Sequence, residues 1–300
     1  MPLRHNLLAA FVALLWGINF VAIDVGLETF PPLLFVALRF ALTAFPAVLF
    51  VRRPAVAARW IVAVGFFLSV GQFGLLFVAI HVGMPAGLSS LVLQLQVVFT
   101  IALAVAFLGE RPSRFQLCGA GVAFAGLAVV AGGRAQSVPL GAVLLVVAAG
   151  ASWGVSNICT RMAKPSDGFA FLIWASLVGP IPLTGLSFAF EGSGAMARAF
   201  GSLNGPAVVS LLYVVLISTL FGFGAWTFLL ARHSASDVAP FSLLAPVAAL
   251  VATWLARGER PGPAELAGGI IILIGLALTV VPPPGARWRR ARPIELGGST

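Results

Sequence analysis

The sequence predicts an all-α integral membrane protein with ten transmembrane helices, arranged as two inverted repeats of five helices each. Three observations lead to this fold class. The chain of 300 residues is 60% hydrophobic and only 9% charged, and its mean hydropathy of +1.06 leaves too little polar surface for a soluble domain. Its apolar residues fall into runs long enough to cross a bilayer, and part of the sequence recurs after a constant offset.

The candidate spans are separated by charged residues, proline or glycine. Each is close to the roughly 20 apolar residues that a helix needs to cross the hydrocarbon core. Together they leave short connectors and no room for a folded domain outside the membrane. The predicted spans are residues 5–25, 32–51, 60–80, 86–108, 114–131, 139–160, 169–190, 207–230, 238–256 and 263–282.

Basic residues are divided unevenly between the two sides of these spans. Cytoplasmic loops of membrane proteins carry an excess of Lys and Arg, so both termini are predicted to face the cytoplasm. We attribute the net charge of +9 to the orientation of the chain in the membrane. The basic residues form no face with interleaved aromatic side chains that would bind nucleic acid. The cytoplasmic set is Arg4, Arg52, Arg53, Arg59, Arg111, Arg114, Arg161, Lys164, Arg232, Arg287, Arg289, Arg290 and Arg292, and the opposite set is Arg134, Arg198, Arg257 and Arg260.

The two halves of the chain resemble each other. Gly-Glu-Arg-Pro at 109–112 recurs at 258–261, and Trp-Gly at 16–17 is echoed at 153–154. A constant register across more than one element indicates an internal duplication. Five spans is an odd number, so the second copy must enter the membrane from the opposite face. The predicted units are residues 1–133, residues 134–284 and a basic cytoplasmic tail, 285–300.

Motifs spread over the chain carry a family resemblance. They are Leu-Leu-Trp-Gly-Ile-Asn-Phe-Val at 14–21, Phe-Pro-Pro-Leu at 30–33, Leu-Arg-Phe at 38–40, Gly-Met-Pro-Ala-Gly-Leu at 83–88 and the paired Gly-Glu-Arg-Pro turns. In combination they resemble the EamA family of the drug/metabolite transporter superfamily, and within it bacterial amino-acid exporters of the O-acetylserine/cysteine type. The resemblance implies export of amino acids and related metabolites across the bacterial inner membrane, through a ten-helix inverted repeat.

Polar side chains inside spans are candidates for a binding site, because hydrocarbon offers them no partner. Gln72 and Gln96 lie roughly 15 Å into their spans, near the middle of an apolar core about 30 Å thick. This is the depth of a transport site. The alternative is that each amide joins helices by hydrogen bonds, and the sequence supports both interpretations equally.

Two aromatic and amide pairs occupy related positions in the two halves: Trp16 with Asn19, and Trp153 with Asn157. With opposite insertion, Asn19 falls in the outer half of the membrane and Asn157 in the inner half. The pairs either line the two ends of a pathway or brace the bundle, and bracing is favoured because a duplication retains packing residues. The resemblance further implies that the third, fourth, eighth and ninth helices surround a central cavity, which adds Tyr213, Trp226 and Ser242 to the substrate-binding candidates.

Arg39 and His81 are candidates for charge recognition or gating. Arg39 is the only cation within a span, roughly 10 Å below the outer boundary. It either binds a substrate carboxylate with its planar guanidinium or pairs with Asp24 or a helix C-terminus. The structural pair is favoured, because the long side chain can extend toward the interface. His81 lies at a helix end, where it either titrates near neutral pH or is a solvated cap.

Motifs that the sequence lacks argue against several classes of function. The sequence has no metalloprotease motif, serine-nucleophile motif, Cys-x-x-Cys pair or P-loop, so we predict no enzyme, no cofactor and no metal site. No Asp or Glu lies in the middle of a span, which argues against tight proton coupling. A proton-coupled drug or metabolite exporter remains the alternative, and a membrane scaffold or an intramembrane enzyme is less favoured. The expected partners are a small-molecule substrate, presumed to be an amino acid, and membrane lipid, with a monomer as the working unit.

Overall fold

The structure, a computed structural model, describes residues 1–132, 139–257 and 262–280, and all regular secondary structure in this part of the chain is helical. A short connecting helix, Ser193–Gly201, lies between the seventh and eighth of ten long helices. The long helices are α1 (Leu3–Leu27), α2 (Pro32–Leu49), α3 (Ala58–His81), α4 (Ser89–Leu108), α5 (Arg114–Gly132), α6 (Leu140–Ala163), α7 (Gly168–Phe190), α8 (Gly205–Arg232), α9 (Ala239–Ala256) and α10 (Pro263–Val280).

Eight of the long helices are long and apolar enough to cross a membrane. This confirms an all-helical, multi-pass membrane fold. The helices α5 and α10 are not among the eight, so the predicted number of ten transmembrane helices is confirmed only in part. Three predictions concern residues outside the described ranges: Arg134, the second Gly-Glu-Arg-Pro turn at 258–261, and the basic tail at 285–300.

The outside of the bundle is covered with large apolar side chains. Along α1, Leu3, Leu7, Phe11, Leu14 and Ile18 are between 44% and 72% exposed. Their spacing of three or four residues places them on one helix face, while the opposite face is buried against other helices. An apolar face of this extent is costly in water, so its natural environment is lipid.

Besides the breaks in α2 and α7, π or 3₁₀ segments distort α3, α4, α8 and α9. A π-helical stretch, Phe66–Gly74, occupies the middle of α3, and a second one, Tyr213–Phe223, occupies α8. Short 3₁₀ segments interrupt α4 at Leu93–Leu95 and begin α9 at Ala239–Leu243. Such π segments are rare and often occur at functional sites. The distortions recur in the third and fourth, and then in the eighth and ninth, long helices.

Glycine allows the helices that carry the tryptophan motifs to approach their neighbours closely. A Cβ atom on Gly17 of α1 would lie 2.7 Å from the carbonyl oxygen of Ala245 in α9. A Cβ atom on Gly154 of α6 would lie 2.9 Å from Cβ of Phe99 in α4. Both contacts need a residue without a side chain. They bring Trp16 and Trp153, the neighbours of these glycines, into the interior.

The helices α5 and α10 pack on each other through a second glycine contact. A Cβ atom on Gly126 would lie 2.7 Å from the carbonyl oxygen of Gly268, and one on Gly275 would lie 2.6 Å from the carbonyl oxygen of Gly119. Each helix therefore presents a small residue to the backbone of the other. Such contacts let two helices associate by van der Waals packing in lipid.

This contact predicts the effect of adding a side chain to α5. Gly126→Leu should destabilise the protein by about 1–3 kcal/mol or more, because the new side chain meets the backbone of α10. The measurement is the thermal unfolding midpoint of purified protein in detergent. Gly121→Leu is the matched control, since nothing lies within 4 Å of a Cβ atom on Gly121. Equal midpoints for the two variants would contradict the packing described here.

Candidate functional site

Four aromatic rings from three helices meet inside the bundle. The centroid of the Trp16 ring lies 5.3 Å from that of Trp153, 4.6 Å from that of Phe223 and 4.9 Å from that of Trp226. The rings come from α1, α6 and α8, and all four are at most 5% exposed. The structure therefore brings together three tryptophans that the sequence analysis selected.

Two small cavities lie against these rings. The central cavity, about 30 Å³, is lined by Trp16, Asn19 and Gln72 among others, and it has room for roughly two water molecules. The second cavity, about 10 Å³, lies beside Asn157. Trp153 and Phe223 line both cavities. These two side chains therefore form the partition between them.

Three polar atoms on the wall of the central cavity have no hydrogen-bond partner. They are Oδ1 of Asn19, Oε1 of Gln72 and Nε1 of Trp153, and each is buried. Buried polar atoms are nearly always paired in folded proteins, and an unpaired one costs free energy. The residues that line this cavity thus carry two acceptors and one donor whose hydrogen-bonding capacity is unused.

The second glutamine has a different environment. The Nε2 atom of Gln96 donates to the hydroxyl of Ser242 at 2.5 Å, and its Oε1 accepts from Nδ2 of Asn157 at 3.2 Å. Oδ1 of Asn157 in turn accepts from Nε1 of Trp226 at 3.2 Å. This polar network joins α4, α6, α8 and α9. Gln96 and Ser242 line neither cavity, whereas Asn157 and Trp226 line the second one.

The helices α1 and α8 are joined by hydrogen bonds to main-chain oxygens. Nε1 of Trp16 donates to the carbonyl of Ser218 at 3.1 Å, and the hydroxyl of Tyr213 donates to the carbonyl of Leu15 at 2.9 Å. Trp16 therefore both braces the bundle and lines the central cavity. Tyr213 lies on the wall of neither cavity, so its observed contact is that of a brace.

Arg39 is fully buried, and its partners differ from the predicted structural pair. Its Nε donates to the hydroxyl of Thr219 at 2.7 Å and its Nη2 donates to the hydroxyl of Ser218 at 3.0 Å. The guanidinium carbon lies 3.9 Å from the centroid of the Phe73 ring. The expected pairing with Asp24 or extension to the interface is therefore wrong. The reason is that the α8 segment presents two consecutive hydroxyls to the interior at this depth.

His81 belongs neither to the polar network nor to the wall of the central cavity. Its side chain is exposed and lines an open groove of about 750 Å³, together with Glu191 and Arg198. Both carboxylate oxygens of Glu191 are engaged at the start of α2, where they accept from the backbone amides of Leu33 at 2.6 Å and Leu34 at 3.2 Å. His81 is thus separate from the central cavity.

The opposite end of the bundle is closed by polar contacts between helix ends. Nδ1 of His5 lies 2.6 Å from Nε2 of His233. Burial lowers the pKa of His233, and the nearby His5 lowers it further. Oε1 of Glu110 accepts from Nε of Arg161 at 3.5 Å and from the backbone amide of Ala235 at 3.2 Å. These contacts hold the ends of α1, α4, α6 and α8 together.

Several wall residues of the central cavity escaped the sequence analysis. Gln94 and Ser218 are polar residues deep within predicted spans, as Gln72 is, so the same sequence criterion also selects them. The apolar residues give no such signal, because an apolar side chain in a span is equally suited to lipid and to a cavity. The wall residues that were missed are Phe20, Ile23, Phe73, Leu76, Leu93, Gln94, Ser218, Phe223 and Ala245.

Comparisons with known proteins agree with this architecture. The pattern of the EamA-like transporter family matches residues 3–132 and again residues 140–281. A protein of Escherichia coli (strain K12) named "Probable amino-acid metabolite efflux pump" is 38% identical, over 97% of this chain and 98% of that protein. A "Probable terminal-alkyne amino-acid exporter" of Streptantibioticus cattleyicolor is 33% identical, over 76% of this chain and 75% of that protein.

Two further comparisons concern location and fold. A protein of Escherichia coli (strain K12) named "Uncharacterized inner membrane transporter YedA" is 25% identical, over 93% of this chain and 91% of that protein. A solved structure described as "Crystal structure of protein" superposes with a TM-score of 0.72 at 20% identity, over 92% of this chain and 96% of that chain. The latter supports the fold alone. Because the family pattern matches twice and covers most of the sequence, the chain belongs to the EamA-like transporter family and is a membrane efflux transporter, not an enzyme.

Proposed function

We propose that this protein exports amino acids and related small metabolites from the cytoplasm by alternating access to the central cavity. The observation that carries the proposal is the convergence of three unpaired polar atoms, on Asn19, Gln72 and Trp153, on a closed cavity within an aromatic cluster. A free amino acid offers both donors and acceptors to such groups. The names of the relatives at 38% and 33% identity point to the same class of substrate.

The architecture proposed for transport is a pair of inverted five-helix repeats. In support, the family pattern matches the chain in two consecutive parts. The π segments of α3 and α8 and the 3₁₀ segments of α4 and α9 recur at corresponding places in the two halves. The corresponding units are residues 1–133 and 134–284, followed by the tail at 285–300. With ten spans, both termini face the cytoplasm and the protein lies in the bacterial inner membrane.

The size of the cavity requires movement during transport. At about 30 Å³, the central cavity holds roughly two water molecules and is too small for an amino acid. The partition formed by Trp153 and Phe223 must therefore separate to connect it with the second cavity. Rocking of one repeat against the other around a fixed site accomplishes this in inverted-repeat transporters. The working unit in this proposal is a monomer.

The candidate residues take different roles in this proposal. Trp16, Asn19, Gln72 and Trp153 contact the substrate in the central cavity. The polar network of Gln96, Asn157, Trp226 and Ser242 holds α4, α6, α8 and α9 together, and Asn157 and Trp226 of this network line the second cavity. Tyr213 braces α1 against α8, and His81 stands at the mouth of the outer groove.

The decisive experiment is direct measurement of export. Cells that overproduce the protein should release more amino acid to the medium than cells without it, and purified protein in liposomes should give a flux that saturates with substrate. A carrier with a binding site saturates because each cycle moves one bound molecule. A flux that rises linearly with concentration, or no flux for any amino acid, would refute the proposed export.

The two glutamines predict different mutant phenotypes. Gln72→Leu should reduce the rate of efflux by roughly 10-fold, because it removes a hydrogen-bonding group from the cavity, while thermal stability stays near that of the parent. Gln96→Leu should lower the thermal unfolding midpoint in detergent, because it removes the hydrogen bonds that the Gln96 amide makes to Ser242 and Asn157. Thr184→Val, at an exposed position of α7, is the polar-to-apolar control. Parental efflux in the Gln72 variant would exclude this residue from the site.

The even number of spans predicts the location of both chain ends. A reporter that is active only in the cytoplasm, such as a fluorescent protein, should be active when it is fused to either the N-terminus or the C-terminus. Alkaline phosphatase fused to the same ends should be inactive. Reporters active on different sides of the membrane would be incompatible with ten spans.

A further inference from the structure

The hydrogen-bonding capacity of Arg39 is only partly used. The side chain is 0% exposed, and a guanidinium has five N–H donors in a fixed plane. Two of these donors reach the hydroxyls of Thr219 and Ser218. The third nitrogen, Nη1, has no partner although it is buried. Arg39 therefore retains donors that an anion would satisfy.

Among the described residues, no carboxylate pairs with the guanidinium of Arg39. The ion pair between Arg161 and Glu110 lies elsewhere, at a helix end. Neutral groups surround the guanidinium instead: two hydroxyls, and the rings of Phe73 at 3.9 Å and Phe40 at 5.9 Å. Hydroxyls and aromatic faces stabilise a cation only weakly compared with an anion. A buried cation without an opposite charge is costly, and in membrane proteins it usually marks a functional site.

Arg39 lies directly behind the wall of the central cavity. Phe73 and Ser218 both contact its guanidinium, and both line that cavity. Each belongs to a π segment, Phe73 to that of α3 and Ser218 to that of α8. For a ligand in the central cavity to reach Arg39, the Phe73 ring has to move off the guanidinium. The cation then faces the cavity.

We infer that Arg39 binds the carboxylate of the transported molecule, so that a free carboxylate is required for export. This inference rests on the proposed function and names the substrate group that the cavity selects. The planar guanidinium matches a carboxylate in a bidentate arrangement. The unpaired carbonyl oxygens of Asn19 and Gln72 accept hydrogen bonds from the ammonium group of the same molecule. The substrate itself supplies the negative charge that the protein lacks here.

Matched ligands test the requirement without altering the protein. L-leucine, L-phenylalanine and L-methionine are each compared with the corresponding amide, which keeps the side chain and ammonium group but lacks the carboxylate. Binding to purified protein is followed by the fluorescence of the cavity tryptophans, and export is followed in liposomes, at a pH that keeps the amides protonated. We expect each amide to bind at least roughly 10-fold more weakly than its amino acid. Equal binding and export of amide and amino acid would overturn the inference.

Variants of Arg39 provide a second test of the inference. In Arg39→Gln the difference between amino acid and amide should disappear, because the anion-binding group is gone. Arg39→Lys keeps the charge but not the planar fork, and it should retain part of the preference for the carboxylate. Arg59→Gln is the matched control, since Arg59 also lies over an aromatic ring, that of Trp60 at 5.1 Å, but at an exposed helix end. The Arg59→Gln variant should prefer the amino acid over its amide as strongly as the parent protein does.

The outcomes separate the two proposals. If Arg39→Gln retains the parental preference for the carboxylate, Arg39 is a structural brace and the inference is wrong, while export of amino acids stands. If the parent binds and exports neither the amino acids nor their amides, the proposed function fails and the inference falls with it. The comparison of ligands on the parent protein gives a result even where the Arg39 variants do not fold.

Discussion

A polar atom removed from water without a hydrogen-bond partner costs free energy, and this cost organises the interior of the bundle. Gln96 avoids this cost because its amide forms hydrogen bonds to Ser242 and Asn157, which lie on two other helices. The side-chain oxygens of Asn19 and Gln72 have no hydrogen-bond partner, and both residues line the central cavity. The contrast separates residues that hold helices together from residues that are available to a ligand.

The cavity depends on how closely the helices pack around it. Gly17 and Gly154 let their helices touch the backbones of α9 and α4, which carries the adjacent tryptophans inward. The π segments then contribute polar and aromatic residues to one cavity wall: Gln72 and Phe73 from α3, and Ser218 and Phe223 from α8. Substitution by a larger residue at either glycine would therefore disturb the site itself as well as the packing, because both rest on one contact.

The charge distribution fits a carrier better than a channel. The acidic side chains with described contacts, Glu110, Asp167, Glu191 and Asp237, lie at or near helix ends. The buried Arg39 lies behind the wall of the central cavity, where its guanidinium contacts two hydroxyls and the Phe73 ring. In the proposed function, the cavity of about 30 Å³ has to open and Arg39 has to bind the substrate. A permanently open pore would need neither property.

Composition and hydropathy alone predicted a helical membrane protein, and motifs and polar positions within spans led to the family and to Trp16, Asn19, Gln72 and Trp153. Only the tertiary structure distinguished Gln72 from Gln96 and replaced the expected partner of Arg39 by Thr219 and Ser218. Those differences depend on the rotation of each helix about its axis. In a span that is apolar on all sides, lipid and protein core accept the same side chains, so periodicity does not determine which face turns inward. Contacts between residues far apart in the sequence decide it.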